Sequence, residues 1–68
     1  MPIQIHVNGE PQITADGQSV LGLLQELQID PARVAVELDR RILKQTRWGQ
    51  TILNEGAQIE IVQFVGGG

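Results

Sequence analysis

The order of two residue periodicities most constrains how this chain can fold. Residues 3–7 and 34–38 alternate side chains with the period of a half-buried β-strand, and residues 58–64 form a third strand with Ile59 and Ile61 on one phase. Between the first two lies one segment with the i, i+3, i+4, i+7 spacing of an apolar helix face, formed by Val20, Leu23, Leu24 and Leu27. One helix packed on one face of a mixed sheet is the simplest layered structure for this order. We therefore predict one α+β domain over residues 1–65.

Turn-forming residues divide the chain where such a fold requires it. Asn8-Gly9 is a strong β-hairpin signal, because both central positions of the tight turn favour a positive φ. The predicted return strand, about residues 10–14, contains Pro11, and a proline lacks the N–H that an inner strand donates. We therefore expect this strand at an edge of the sheet. Asp39-Arg40-Arg41 is the predicted turn into a short return strand at residues 42–43.

The ends of the predicted helix are marked by Ser19 and by Asp30-Pro31. A serine at the first position can accept a hydrogen bond from an unpaired N–H of the first turn. The residue before a proline is disfavoured in the α conformation, so the helical region should end there. A right-handed crossover through this helix would place the first and last strands side by side and parallel at the centre of the sheet. The predicted topology is a β-grasp fold with four or five strands.

Composition argues against several classes of protein. The 68 residues include no cysteine, and His6 is the only histidine, so we predict no metal site built from these side chains. The net charge of −3 argues against a nucleic-acid partner. No apolar run approaches the length of a membrane span, and the sequence opens with no signal peptide. We expect a soluble, cytoplasmic protein with an aliphatic core.

Three local features each have two interpretations. All five basic residues lie between positions 33 and 47, and this basic segment is either a solvated hairpin or a docking patch. His6 falls on the polar phase of the first strand, and we interpret it as a solvated residue rather than a ligand or catalytic group. Trp48, the only tryptophan, is expected to cover one end of the core, with a role in an interface as the alternative.

The sequence closes on three glycines, Gly66, Gly67 and Gly68. Glycine has no Cβ, so we expect a flexible tail over residues 66–68 that can pass through a narrow channel and reach about 10 Å beyond the last strand. The α-carboxylate at its tip would be an anion at neutral pH and a poor electrophile. It would therefore need activation by another protein before it could carry a group. The alternative is a frayed terminus without a function.

Alternation in the last strand separates two sets of apolar residues. Ile59 and Ile61 share one phase, and Val62 and Phe64 share the other. If the isoleucines face the helix, Val62 and Phe64 project from the opposite face, beside the tail. Two large apolar side chains there predict a docking surface for a partner protein. Alternatively, loop residues near Trp48 cover them.

Two stretches of the chain together resemble a known family. In the second half the resemblance is carried by Val34-Ala35-Val36-Glu37-Leu38-Asp39, by Trp48, and by the run from Asn54 to Gly68. The first half agrees in Val7-Asn8-Gly9 and in residues 17–20. The chain thus resembles the ThiS family of small sulfur carriers. It departs where family members commonly have a proline-arginine pair, here Leu43-Lys44-Gln45, and where an acidic residue is usual, here Ala57.

This resemblance implies a ubiquitin-like β-grasp fold and a role in thiamine biosynthesis. It implies that an adenylating enzyme of the ThiF type uses ATP and Mg²⁺ to activate the carboxylate of Gly68, while Gly66 and Gly67 thread through that enzyme's active site. A sulfur donor enzyme would then supply the sulfur, and the resulting thiocarboxylate would deliver it to a thiazole synthase of the ThiG type. The chain itself would bind no cofactor and contribute no catalytic residue.

Other functions stay open on the sequence alone. A related carrier could serve another pathway, as the small subunit of molybdopterin synthase does, or could feed the synthesis of cysteine or of siderophore-type compounds. A plain protein-interaction module with an idle tail belongs to a different class. An enzyme is the weakest hypothesis, because a nucleophile, a base and an orienting group are not recognisable together.

Overall fold

The computed structural model describes residues 1–64, which form five β-strands, one α-helix and two short 3₁₀-helices. The strands are β1 (Pro2–Val7), β2 (Glu10–Ala15), β3 (Val34–Leu38), β4 (Arg41–Leu43) and β5 (Gln58–Gln63). The α-helix, α1, is Val20–Glu26, and the 3₁₀-helices are Pro31–Arg33 and Gln45–Arg47. None of the helices in this described part of the chain is long and apolar enough to cross a membrane.

The five strands form one mixed sheet in the order β2-β1-β5-β3-β4. The first and last strands, β1 and β5, are adjacent and parallel, and every other neighbouring pair is antiparallel. This arrangement confirms the predicted β-grasp topology, with five strands. Pro11 lies in β2, which is an edge strand, as its missing N–H predicted.

Two tight turns close the two β-hairpins. Asn8 and Gly9 join β1 to β2 with φ values of 52° and 84°, as the Asn-Gly signal predicted. The second hairpin is one residue tighter than expected, since Asp39 and Arg40 alone form its turn, with φ values of 51° and 71°, and Arg41 already belongs to β4. An arginine at positive φ is uncommon, so the pairing of the flanking strands holds this conformation.

The helix begins where it was predicted to begin. The side chain of Ser19 accepts a hydrogen bond from the backbone N–H of Gly22 at 2.9 Å and so caps the first turn. Gly22 is the third residue of the helix. A Cβ atom at this position would clash with the side chain of Gln18, which would have to move.

The helix ends earlier than the sequence predicted. It stops at Glu26 rather than at Asp30-Pro31, because Gln28 takes a left-handed conformation with φ of 60°. The N–H of Gln28 then donates to the Gln25 carbonyl at 3.1 Å, and the N–H of Ile29 donates to the Leu24 carbonyl at 2.9 Å. These two bonds form a Schellman motif, which satisfies carbonyls at the helix end. Asp30 instead caps the following 3₁₀-helix.

The core lies between α1 and one face of the sheet. Its buried side chains are aliphatic with one aromatic ring, and they are Ile5, Val20, Leu23, Leu24, Val34, Val36, Trp48, Leu53, Ala57 and Ile59. Thr14 is the one buried polar residue among residues 1–64, and its hydroxyl donates to Glu26 Oε1 at 2.9 Å. The inward phases predicted for β1, β3 and β5 are therefore confirmed.

Residues 44–57 cover the remaining side of the core, and this segment is hydrogen-bonded to the start of α1. Trp48 is 2% exposed, which confirms that it covers the core, and its indole N–H donates to the Leu43 carbonyl at 2.9 Å. The backbone N–H groups of Val20 and Leu21 donate to the carbonyls of Thr51 and Trp48, respectively. Among residues 1–64 no comparable segment covers the second face of the sheet, and the candidate site is built from that face.

Candidate functional site

The side chains of Val62 and Phe64 lie on the sheet face opposite α1. Val62 is 56% exposed and Phe64 is 61% exposed, whereas Ile59, on the other phase of β5, is 1% exposed. The alternative, that loop residues near Trp48 cover these two side chains, is wrong. Trp48 is buried in the core on the helix side of the sheet, so it cannot reach them. The predicted outward phase of β5 is confirmed, while its role in docking stays a prediction.

Strand register shows which other residues share this open face. Val62 is the cross-strand partner of Ala35 in β3, and Glu60 is the partner of Glu37. Glu37 is in turn opposite Ile42 of β4, whose side chain is 80% exposed. The open face is defined here as Ala35, Glu37, Ile42, Glu60, Val62 and Phe64. The sequence analysis did not predict the members from β3 and β4. Ala35 and Glu37 could have been found, because they alternate with Val34 and Val36, which were expected to be buried.

The end of β5 is held on both of its edges. On one edge, the N–H of Phe64 donates to the Arg33 carbonyl at 2.8 Å. On the other, the Asn8 side chain accepts from the Ile61 N–H at 2.7 Å and donates to the Ile61 carbonyl at 3.2 Å. These side-chain bonds replace a strand ladder that β1 no longer supplies after Val7. The chain is thus fixed at Phe64, one residue before Val65 and the glycines.

Gly66, Gly67 and Gly68, the residues predicted to carry the chemistry, lie outside the described residues, as does the predicted domain boundary after residue 65. Their predicted roles as modified residue and threading segment therefore stay predictions. What the structure adds is the position of their attachment point. Phe64 directly follows the central strand β5 and shares the outward phase of Val62, so the described chain ends next to the open face.

The basic segment is solvent-exposed over most of its length. Arg40, Arg41, Lys44 and Arg47 are all exposed, and within residues 1–64 none of them makes an ion pair. Arg33 is different, since its Nε lies 3.5 Å from Asp30 Oδ2. Exposure fits both interpretations of this segment, the solvated hairpin and the docking patch.

His6 is less solvated than its phase predicted. The residue is half-buried, and its Nδ1 is buried without a hydrogen-bond partner within the described part of the chain. Its strand neighbours Pro11 and Gln58 flank it from β2 and β5. Residues 1–64 bring together no group of three or more histidine, cysteine, aspartate or glutamate side chains that could hold a metal ion.

The sequence pattern that defines the ThiS family matches residues 5–68, nearly the whole chain and the terminal glycines with it. The chain belongs to the ThiS family. The sulfur carrier protein ThiS of Escherichia coli (strain K12) is 33% identical over 66 residues, which cover 97% of this chain and 100% of that protein. The crystal structure of a thiamine biosynthesis protein (ThiS) from Geobacter metallireducens superposes with a TM-score of 0.84 at 30% identity, covering 97% of this chain and 100% of that one.

A second kind of relative contains a ThiS-like segment within a longer chain. A thiazole synthase of Magnetococcus marinus is 41% identical over 66 residues, which cover 97% of this chain but 20% of that protein. This chain therefore spans about a fifth of the length of that relative. The likeness of a ThiS-family domain to part of a thiazole synthase links the family to that enzyme.

Proposed function

We propose that this chain is a sulfur carrier protein of thiamine biosynthesis, with the sulfur carried at the carboxylate of Gly68. The observation that carries the proposal is the match to the ThiS family, which extends through all three terminal glycines. A β-grasp domain that holds its last strand firmly up to Phe64 and then continues into glycines suits this role. The chain acts as a co-substrate of other enzymes and supplies no catalytic residue.

The chemistry starts from a carboxylate that is unreactive by itself. An adenylating enzyme of the ThiF type brings ATP and Mg²⁺, and an oxygen of the Gly68 carboxylate attacks the α-phosphorus with release of pyrophosphate. The acyl-adenylate has lost the carboxylate's charge and has AMP as a leaving group. Sulfur delivered by a donor enzyme at the oxidation level of sulfide then attacks the acyl carbon, the C–O bond to AMP breaks, and loss of the proton leaves a thiocarboxylate. Gly66 and Gly67 lack Cβ atoms and so fit a narrow channel to the reacting centre.

The proposed acceptor of the sulfur is a thiazole synthase of the ThiG type. The M. marinus relative supports this link, since a thiazole synthase there contains a segment like this chain. All of these steps belong to the cytoplasm. Val62 and Phe64 are the proposed contacts with the adenylating enzyme, because both are exposed apolar side chains next to the start of the tail.

Intact and tandem mass spectrometry test the proposed modification. The protein is incubated with the adenylating enzyme, ATP, Mg²⁺ and a sulfur donor, and the modified residue is then located. We expect one oxygen-to-sulfur exchange, placed on Gly68. A modification at an internal residue, or none in the complete mixture, contradicts the proposal, as does an unmodified protein isolated from cells that are making thiamine.

Deletion of Gly67 and Gly68 separates the function of the tail from the stability of the domain. Because these residues have no side chains to bury, the free energy of unfolding should change by no more than about 0.5 kcal/mol. Adenylation should be abolished, since the new carboxylate ends about 7 Å short and an offset of 1 Å can already cost about a hundredfold in rate. Gly67→Ala is the milder variant, in which the added methyl group should slow activation. Thermal melts and a pyrophosphate-exchange assay measure both effects, and a shortened protein that is still adenylated rules out the proposed role.

A further inference from the structure

Two carboxylates face each other in the middle of the open face. Glu37 in β3 and Glu60 in β5 are direct cross-strand partners in an antiparallel pair. Residues in this relation have Cβ atoms about 4.5–5.5 Å apart, and like charges placed so are destabilising. The third residue of the same row is Ile42, which is 80% exposed. The free domain would therefore be more stable with a residue other than glutamate at either position.

No cation of the described chain neutralises this pair. The ion pair found within residues 1–64 joins Arg33 to Asp30 and involves neither glutamate. Arg41, the basic residue of β4, is the register partner of Leu38 and therefore lies on the helix side of the sheet. The five basic residues thus leave Glu37 and Glu60 uncompensated, although Glu37 itself lies within the basic segment.

Apolar residues flank the carboxylates on the β4 side and toward Phe64, whereas Gln58 and its partner His6 share the face on the β1 side. Ile42 lies on one side of them, and Val62, with Ala35 beside it, forms the next row of the face toward Phe64. Val62 and Phe64 are each more than half exposed. A partner that covers these apolar groups would also remove water from the two glutamates, and a desolvated carboxylate pair requires a positive charge.

We propose that the open face binds a protein surface that places one arginine or lysine between Glu37 and Glu60, with apolar side chains around it packing on Ile42, Val62 and Phe64. The proposal deepens the function proposed above and rests on it, since the partner is the enzyme that adenylates Gly68. Charge complementarity selects this occupant. A nucleic acid or an anionic membrane surface would meet the same two carboxylates and be repelled.

The position of the pair gives it a role in recognition. Val62 and Phe64 follow Glu60 along β5 toward the attachment point of the tail, so a partner bound here is already beside the tail. A cation seated between the glutamates fixes the partner's position along β5. Such charge pairs act on specificity and on the rate of encounter, and they penalise a partner surface that lacks the cation.

The matched variants are Glu37→Gln, Glu60→Gln and, as control, Glu10→Gln. Each change removes one negative charge and keeps the side-chain shape. Glu10 is an exposed residue at the start of the edge strand β2 and is not part of the open face. The probe is the adenylating enzyme itself. Affinity is measured by titration calorimetry without ATP, and KM and kcat for the chain are measured by pyrophosphate exchange.

We expect Glu37→Gln and Glu60→Gln each to raise Kd and KM by about threefold to tenfold with little change in kcat, as for the loss of a partly desolvated charge pair. Glu10→Gln should leave both close to wild type. Thermal melts of the free chain should show Glu60→Gln at or above the wild-type midpoint, because the repulsion within the sheet has been removed. If Glu60 had only a structural role, its substitution would not weaken the complex while leaving the free chain equally stable.

Salt provides the second measurement. Raising the ionic strength should weaken binding of the wild type more than binding of the Glu37→Gln/Glu60→Gln double variant. The proposal is overturned if the two single variants bind like Glu10→Gln, or if binding by wild type and double variant depends on salt equally. If the wild-type chain is adenylated normally and the glutamate variants bind as well as it does, this inference alone is refuted. If the wild-type chain is neither bound nor adenylated, the proposed function is refuted as well.

Discussion

The two faces of the sheet use the same strands for different purposes. On the helix-covered face, Ile5, Val36 and Ile59 are at most 1% exposed, and on the open face Val62 and Ile42 are more than half exposed. Because successive side chains of a strand point to opposite faces, neighbouring residues of β5 belong to different environments. The covered face holds the domain together, whereas the open face contributes little to stability and is available to a partner. The same substitution should therefore have opposite consequences on the two faces.

The largest effect is expected for Ile59→Asp, on the covered face of β5. This change removes a side chain that is 1% exposed and places a carboxylate in the aliphatic core. The cost should exceed about 5 kcal/mol, which is comparable to the whole stability of a domain of this size. We expect circular dichroism and amide chemical shifts of an unfolded chain. A folded Ile59→Asp protein would show that the covered face is not the core.

Leu24→Ala tests the helix side of the same core. Leu24 is 0% exposed and its carbonyl also accepts the Ile29 N–H at the helix end. Removing the side chain should lower the free energy of unfolding by about 2–5 kcal/mol, through lost burial and the cavity left behind. Urea denaturation measures the loss. Gln25→Ala, at the exposed next position of α1, is the control and should change it by less than about 0.5 kcal/mol.

Asn8→Gly tests how the end of β5 is held. Glycine accepts the positive φ of the turn, so the change removes the two hydrogen bonds to Ile61 without straining the backbone. The expected loss is about 1–2 kcal/mol, with faster hydrogen exchange at the Ile61 amide. Asn8→Asp keeps the acceptor for that N–H and should be intermediate. Unchanged exchange at Ile61 in Asn8→Gly would mean that strand pairing alone fixes this end of β5.

Of the two substitutions to aspartate in β5, Val62→Asp, three residues after Ile59 and on the open face, should have by far the smaller effect on stability. An exposed aspartate in a strand should cost less than about 1 kcal/mol, so the fold should remain intact. Binding to the adenylating enzyme should nevertheless weaken, because the carboxylate replaces an apolar contact. Titration of the folded variant against that enzyme measures this. Unchanged affinity would move the docking surface elsewhere, with the exposed basic segment as the next candidate.

Local sequence signals predicted a large part of this protein. Alternation in residues 3–7, 34–38 and 58–64 placed β1, β3 and β5 and their buried phases, and Pro11 placed β2 at the edge. These predictions succeeded because the period of two and the missing proline N–H act within a few residues. The outward phase of Val62 and Phe64 followed from the same alternation. The chemistry at Gly68 came from family resemblance and stays a proposal.

The contacts between distant segments were determined only by the tertiary structure. The early helix end at Glu26 depends on Gln28 in a left-handed conformation and on Ile29 packing against the core, and glutamine carries no strong local signal for that conformation. The half-burial of His6 depends on its neighbours Pro11 and Gln58 from two other strands. The pairing of Glu37 with Glu60 likewise exists only through the register of β3 on β5. Sequence periodicity assigns each side chain to a face of its own strand, but which side chains meet across strands is set by register, and register is fixed only when the whole sheet packs on its helix.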